Sequence, residues 1–184
     1  MDSDEQPPLT HRPFNSATAP DGHEAVAREG PLTHQRPDGA VHMIDVADKA
    51  ITHRTATAQA VLTTRPDVVA RIVDGDLPKG EAIAVARVAG ILAAKQTSNL
   101  VPLCHPLPLD GVTVEIIPQA SDMRIEATVT TTGRTGVEME ALTAVSVAAL
   151  TLYDMIKAVD RAAVIGDIAV IEKSGGRSGT WRRP

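Results

Sequence analysis

TGVEMEALTAVSVAALTLYDMIKAVDR, residues 135–161, reads as one long helix with acids at its start and an Asp-Lys pair at its end. From Ala141 to Tyr153 it carries no charge. A helix that is apolar on nearly every side has to be enclosed by a sheet, by other helices or by a second subunit. Thr135 and Glu138 stand in the T-x-x-E relation of a capping box, which predicts a helix starting at Thr135 with Glu138 as its capping acid. The far end breaks a rule. Asp154 sits where the helix dipole is negative and a carboxylate is disfavoured, and Lys157 follows at i+3. Local rules broken without visible compensation often mark functional positions.

Outward from this helix, the segment AVIGDIAVIE (163–172) reads as a final strand interrupted at Gly166, and KSGGRSGTWRRP from Lys173 is glycine-rich and basic. On the other side, VTVEII (112–117) and RIEATVTTT (124–132) are two strands joined by a short turn, hence a hairpin. Before them, NLVPLCHPLPLD (99–110) holds three prolines in seven residues. Proline fixes backbone angles and blocks both helix and ladder, so this is a stiff loop that presents Cys104 and His105. The segment EAIAVARVAGILAAKQ (81–96) reads as a structural helix, with Glu81 at its positive end and Lys95 at its negative end. A shorter helix, PDVVARIVDG, runs from Pro66 to Gly75 after a start signalled by Thr64. In ITHRTATAQAVL (51–62), Ala56, Ala58, Ala60 and Leu62 alternate onto one face of a strand. Strand, two helices, hairpin, long helix and strand predict an α+β layer. The sheet is expected to be antiparallel or mixed, packed against helices, and close to the ferredoxin-like split arrangement.

Residues 1–42 are rich in Pro, His, Thr, Asp and Gly and poor in large apolar side chains, so they cannot offset their ordering entropy by burial. They are expected to be a disordered tail ahead of a domain spanning 43–184. An imperfect repeat within them, PLTHRP at 8–13 and PLTHQRP at 31–37, fits a docking motif, a weak metal site or a low-complexity tail.

A formal charge of -5 over 184 residues argues against general nucleic-acid binding, and Phe14, Tyr153 and Trp181 are the only aromatics on which bases could stack. Cys104 is the only cysteine, which excludes an internal disulfide and any multi-cysteine zinc site. The N-terminus lacks the basic and apolar regions of a signal peptide, and about 13 uncharged residues are too few to cross a bilayer. The cytoplasm is the expected compartment, with no membrane and no nucleic acid as partner.

Asp154 and Lys157 share a helix face. An exposed pair would be a salt bridge contributing at most about 1 kcal/mol; a buried one would provide a proton donor and acceptor for one substrate. Glu140 is open between a favourable acid near a helix start and a functional group, and Met139 beside it suits core packing. Cys104 suits an inert buried thiol, whereas His105 suits either hydrogen bonding or proton transfer. Lys79 before Gly80, and Lys173-Ser-Gly-Gly-Arg177, are candidate anion sites in which backbone N–H groups and cations converge. No P-loop, dinucleotide fingerprint or zincin spacing is present, so neither a resident metal nor a cofactor is expected.

Taken together, KGEAIAVARVAGILAAKQTSNLVPLCHPLPL (79–109), TGRTGVEMEALTAVSVAALTLYDMIKAV (132–159) and KSGGRSG (173–179) closely resemble the molybdenum-cofactor biosynthesis protein C family, the cyclic pyranopterin monophosphate synthases. The resemblance runs from about Met43 to Gly179. It implies a ferredoxin-like subunit assembled into a homohexamer, a trimer of dimers with sites at subunit interfaces. It implies a lyase that converts the 3′,8-cyclised dihydroguanosine triphosphate into cyclic pyranopterin monophosphate and diphosphate, downstream of a radical enzyme. By the same resemblance Asp154 and Lys157 are the catalytic couple. Leu103, Cys104 and His105 match the substrate loop, Met139 and Glu140 a second substrate-contacting pair, and Lys79 and Lys173 active-site lysines. Arg177 stands where many relatives carry lysine. The rivals are a non-catalytic oligomeric nucleotide-binding or regulatory module of the same fold and a structural assembly protein. Glu140 and Asp154 are separated by roughly 20 Å at 1.5 Å per residue, so the two ends of the helix are expected to serve different sites or to meet across a subunit boundary.

Overall fold

The computed structural model describes residues 40–184, so the sequence reading of residues 1–39, including the repeated PLTHRP motif, lies outside the described residues. Strand β1, Thr52–Thr63, buries Ala56, Ala58, Ala60 and Leu62 and turns its Thr and Gln residues to the other face, as the alternation predicted. Helices α1 (Pro66–Val73) and α2 (Ala82–Ala94) follow. The hairpin is β2 (Gly111–Pro118) with β3 (Asp122–Gly133), and between α2 and it lies a single helical turn, α3 (Thr97–Leu100). Helix α4 (Glu138–Ile156), β4 (Val164–Ser174) and the short β5 (Trp181–Arg182) complete the chain.

The five strands lie in the order β2-β3-β1-β4-β5, and every pairing is antiparallel. The α1–α2 connection thus carries the chain from β1 over β3 to β2, and α4 carries it from β3 over β1 to β4. One face of the sheet is covered by helices, and Leu62, Met123, Ile125, Val129, Val145, Leu152 and Ile156 are fully buried there. On the open face half-buried threonines pair across the strands, as in the Thr57–Thr128 hydroxyl contact of 2.9 Å. An antiparallel sheet can keep one polar face in this way. The predicted interruption at Gly166 is a bulge: Gln59 pairs with Ala169 and Val61 with Gly166, so that two residues of β4, Asp167 at φ 51 and Ile168, stand opposite the single Ala60 of β1.

Several boundaries differ from the sequence reading. Helix α4 begins at Glu138, not Thr135, and the predicted capping box does not form. Its N-cap is Val137, which has no side-chain capping bond, and the Glu138 carboxylate instead lies 3.8 Å from Lys173. A tertiary partner has outcompeted the local cap. At the other end the helix stops at Ile156 rather than Arg161. The amides of both Val159 and Asp160 bond Ile156 O, and the Asp160 carboxylate, only 6 % exposed, accepts from the Thr64 hydroxyl (2.7 Å) and the Ala162 amide (3.0 Å). That buried anchor pulls the chain off the helix axis. It also explains why Thr64 does not cap α1, whose N-cap is Arg65. The turn α3 and strand β5 were not read from sequence. The first is closed by Thr97 Oγ1 donating to Ala94 O, and the second by an Arg182–Glu172 ion pair at 3.2 Å and Arg183 N donating to Ile171 O.

With 19 residues and a mean hydropathy of 1.4, α4 is by length and composition long enough to cross a bilayer, contrary to the shorter uncharged run considered above. Half of it is buried inside the domain, against β1, β3, β4 and α2, which is the condition of a core helix. Its approach to α2 is set by Gly90, where a Cβ would lie 3.0 Å from Ala144 O and 3.3 Å from Ala148 Cβ.

Candidate active site

Two clefts flank α4, one at each end. At the C-terminal end, Asp154 Oδ1 receives Lys157 Nζ at 2.7 Å, the i+3 contact that the helix face predicted. Lys79 arrives from the α1–α2 connection and donates to Asp154 Oδ2 at 2.5 Å and to the Asp154 carbonyl at 3.0 Å. Its loop is shaped by Gly75 and Gly80, both in the left-handed region at φ 69 and 84. The predicted Lys79-Gly80 cation therefore does sit beside a helix start, yet its partner is the carboxylate at the end of another helix.

The buried form of the acid-base pair is not observed, since Asp154 and Lys157 are each 52 % exposed. Lys157 and then Lys79 hold the Asp154 carboxyl down at about 2, and Asp154 in turn raises the Lys157 ammonium. At neutral pH the cluster is one carboxylate between two ammonium groups. It can present oriented protons to an anion and keep a strong acceptor in place between them. Lys79, Tyr153, Lys157, Ala158 and Arg161 line the cleft beside it, with a volume of about 330 Å³.

At the N-terminal end, a cleft of about 260 Å³ brings together Leu103, Cys104 and His105 of the proline-rich loop with Met139 and Glu140 of α4. Residues 43–49 form a third wall, through Ile44, Val46 and Lys49. His105 Nε2 lies 2.8 Å from Ile44 O, and because a carbonyl only accepts, Nε2 carries a proton and donates it to that carbonyl. Met139 is 39 % exposed, so it is a wall of this cleft and not the core residue that its type suggested. Glu140 is the opposite case, a carboxyl only 4 % exposed. Burial, then the neighbouring Glu138 charge, raises its pKa, while burial and then Glu140 raise that of the Cys104 thiol. Cys104 is accordingly a protonated thiol at neutral pH, half-buried where its type suggested a buried one. Lys173, on β4, donates to Ser178 Oγ at 2.5 Å and stands 3.8 Å from Glu138, which also lines this cleft. In the Lys-Ser-Gly-Gly-Arg segment, Gly175 and Gly176 have φ 96 and 69, and Arg54 packs against Gly176 while donating to the carbonyls of Gly133 and Arg134.

The structure thus gathers the predicted residues into two sets, Lys79, Asp154 and Lys157 in one, Leu103, Cys104, His105, Met139, Glu140 and Lys173 in the other. It does not bring the sets together within one chain, as the length of the helix anticipated. Sequence reasoning passed over Ile44 and Lys49, which carry no local signal. It also passed over Tyr153, detectable only as one of three aromatics, and Arg161, which had been read as part of the helix.

Glu140→Gln offers a check on this electrostatic picture. Because the folded-state pKa of Glu140 is raised, ionisation in the native state is unfavourable, and the stability it contributes below the unfolded value of about 4.3 is lost as pH rises through the folded value. The glutamine variant is expected to have a higher Tm than the parent at pH 7 and no advantage at pH 4. For a domain of this size a rise of about 2–4 °C corresponds to about 1 kcal/mol. Thermal unfolding at the two pH values measures it, and a lower Tm at pH 7 would contradict the buried, strained carboxyl.

An antiparallel α+β domain with titratable side chains gathered at both ends of one core helix, in clefts sized for a small polar molecule, defines a class of small-molecule binding and processing proteins. The sequence profile of the MoaC family matches residues 43–176. The chain is 62 % identical over 156 residues to cyclic pyranopterin monophosphate synthase 2 of Mycobacterium tuberculosis (strain ATCC 25618 / H37Rv), which covers 85 % of this chain and 93 % of that protein. It is 59 % identical over 150 residues to the cyclic pyranopterin monophosphate synthase of Corynebacterium efficiens, covering 82 % and 97 % respectively. The synthase of Thermomicrobium roseum is 56 % identical over 154 residues, with 83 % and 93 % covered. The chain belongs to the MoaC family.

Proposed function

We propose that this protein is a cyclic pyranopterin monophosphate synthase, a lyase of molybdenum cofactor biosynthesis. It converts the 3′,8-cyclised dihydroguanosine triphosphate made by an upstream radical enzyme, and releases diphosphate. The observation that carries the reading is the 62 % identity extending over 93 % of a relative named for this activity. Asp154 and Lys157 act as the acid-base couple that opens the purine ring and rebuilds the pterin, and Lys79 balances the charge of the triphosphate or passes a proton. His105, Leu103, Cys104, Met139, Glu140 and Lys173 bind the substrate from the other cleft. A purely regulatory nucleotide-binding module has no need of an Asp-Lys couple held beside a cleft.

The subunit is ferredoxin-like. Supporting this are the β-α-β-β-α-β order, with the extra turn and end strand set aside, and the split sheet order β2-β3-β1-β4. The synthase domain spans 43–184 behind a separate N-terminal segment, and the enzyme works in the cytoplasm as a homohexamer, a trimer of dimers. Two features favour assembly. The two residue sets lie at opposite ends of α4, so a substrate touching both needs a second subunit. In addition, Val85, Val88 and Leu92 expose an apolar stripe along α2 at i, i+3 and i+7.

Incubation with the cyclised triphosphate is expected to yield diphosphate and the cyclic pterin, and light scattering a hexamer. Absence of the pterin product would sink the synthase reading, and an active monomer would sink the shared-site arrangement.

A further inference from the structure

We propose that Arg161 is a phosphate-holding residue of the C-terminal cleft, its guanidinium taking the diphosphate end of the triphosphate substrate. This rests on the synthase reading and extends it to a residue to which neither the resemblance nor the relatives' names give a role.

Three cations face this cleft, but they are not equivalent. Lys79 and Lys157 both donate to Asp154. Among the described residues the Arg161 side chain has neither a hydrogen bond nor an ion pair, and it lines the cleft beside the two lysines. Its backbone is fixed all the same. Tyr153 Oη donates to Arg161 O at 3.2 Å, and the preceding residue is the buried Asp160, tied to Thr64 and Ala162. The arrangement is an uncommitted guanidinium rooted on a pinned loop, with Tyr153 supplying part of the cleft wall.

The electrostatics select the ligand. Asp154 and the carbonyl end of α4 both disfavour an anion, the latter with roughly half a negative charge. Three cations exceed that and leave the rim positive, which suits a group carrying several negative charges better than a monoanion or a neutral base. A guanidinium presents a planar fork that matches two phosphate oxygens at once, while the lysines act as point charges. The volume of about 330 Å³ is at the lower end for small-molecule sites, enough for a diphosphate group but small for a whole nucleotide. The pterin-forming end of the substrate is thereby directed away from Arg161, toward Asp154 and Lys157.

Two measurements on the full chain test this: calorimetric binding of inorganic diphosphate, and steady-state turnover of the cyclised triphosphate. Arg161→Ala removes only a side chain and keeps the carbonyl that Tyr153 holds, so the fold is expected to persist, with circular dichroism as the check. Diphosphate binding is expected to weaken about tenfold to a hundredfold, the range for loss of a charge-assisted hydrogen-bonded contact. KM is expected to rise in parallel while kcat changes less, and Arg161→Lys to recover part of the affinity. If the parent binds diphosphate and turns over substrate, and Arg161→Ala does both equally well, the subsite is refuted and the synthase reading stands. If the parent fails to turn over substrate, the synthase reading falls, and unchanged diphosphate binding by Arg161→Ala would then refute the subsite as well.

Discussion

Asp154→Asn is expected to lower kcat for the cyclised triphosphate by roughly 10²–10⁴-fold, the usual contribution of a positioned general acid or base. Lys157→Ala should fall into the same range, and each variant should keep the assembly state of the parent. The geometry explains why one atom matters so much. Asp154 accepts Lys157 on one carboxylate oxygen and Lys79 on the other. An amide in its place keeps the shape but would turn an NH₂ donor toward one of two ammonium groups, so at least one of these contacts is lost. Full turnover by either variant would remove the couple from the mechanism.

The titration of the pair gives the same argument a second readout. The Asp154 carboxyl is depressed to about 2, so the stability it contributes is present above its unfolded value near 3.9 and is lost as pH falls through about 2. Lys157 is raised, so its contribution is complete below about 10.4 and is lost as pH rises through the folded value. Between about pH 4 and 10 both groups therefore stay charged in the free enzyme. No inflection from either is expected in the kcat/KM profile across neutral pH. An inflection near pH 6–7 that vanished in Asp154→Asn would show instead that Asp154 is a weakly held acid.

Gly90→Leu is expected to destabilise the domain by about 3 kcal/mol, a fall in Tm of roughly 6–12 °C. The three nearest neighbours of a Cβ at Gly90 are Ala144 O at 3.0 Å, Val114 Cγ2 at 3.2 Å and Ala148 Cβ at 3.3 Å. None of these is the end of a flexible chain, so they cannot swing aside, and the helices would have to separate. Separation would also disturb the cleft residues at both ends of α4. Gly166→Ala is the control, since a Cβ there meets nothing within 4 Å. Equal Tm values for the two variants would mean that α2 and α4 do not pack as closely as the structure places them.

Strands β1 to β4 and the three longer helices were legible because their side chains repeat. Ala56, Ala58, Ala60 and Leu62 alternate along β1, and all four are buried. The ends were less legible. Thr135 and Glu138 had the spacing of a capping box, but a capping hydrogen bond competes with every partner the fold supplies, and Lys173, thirty-five residues beyond Glu138, took the carboxylate. Asp160 in DR looked like part of the helix until Thr64 and Ala162 drew it inward. For the same reason the Asp154–Lys157 contact could be read from an i+3 spacing, whereas its second lysine, Lys79, came from a loop seventy-five residues away.

What the sequence by itself determined is the α+β class, the apolar core helix with polar groups at its two ends, and a resemblance long enough to name a family. These follow from periodicity, proline and glycine punctuation and motif identity, all of which are local in the chain. Tertiary structure alone decided that the Asp-Lys pair is half exposed and clamped by Lys79, that Glu140 is buried with a raised pKa, that His105 is oriented by Ile44, and that the Arg161 side chain has no hydrogen bond or ion pair among the described residues. Burial, electrostatics and hydrogen-bond competition depend on which distant segments meet, and that is settled only when the sheet order β2-β3-β1-β4-β5 brings them together.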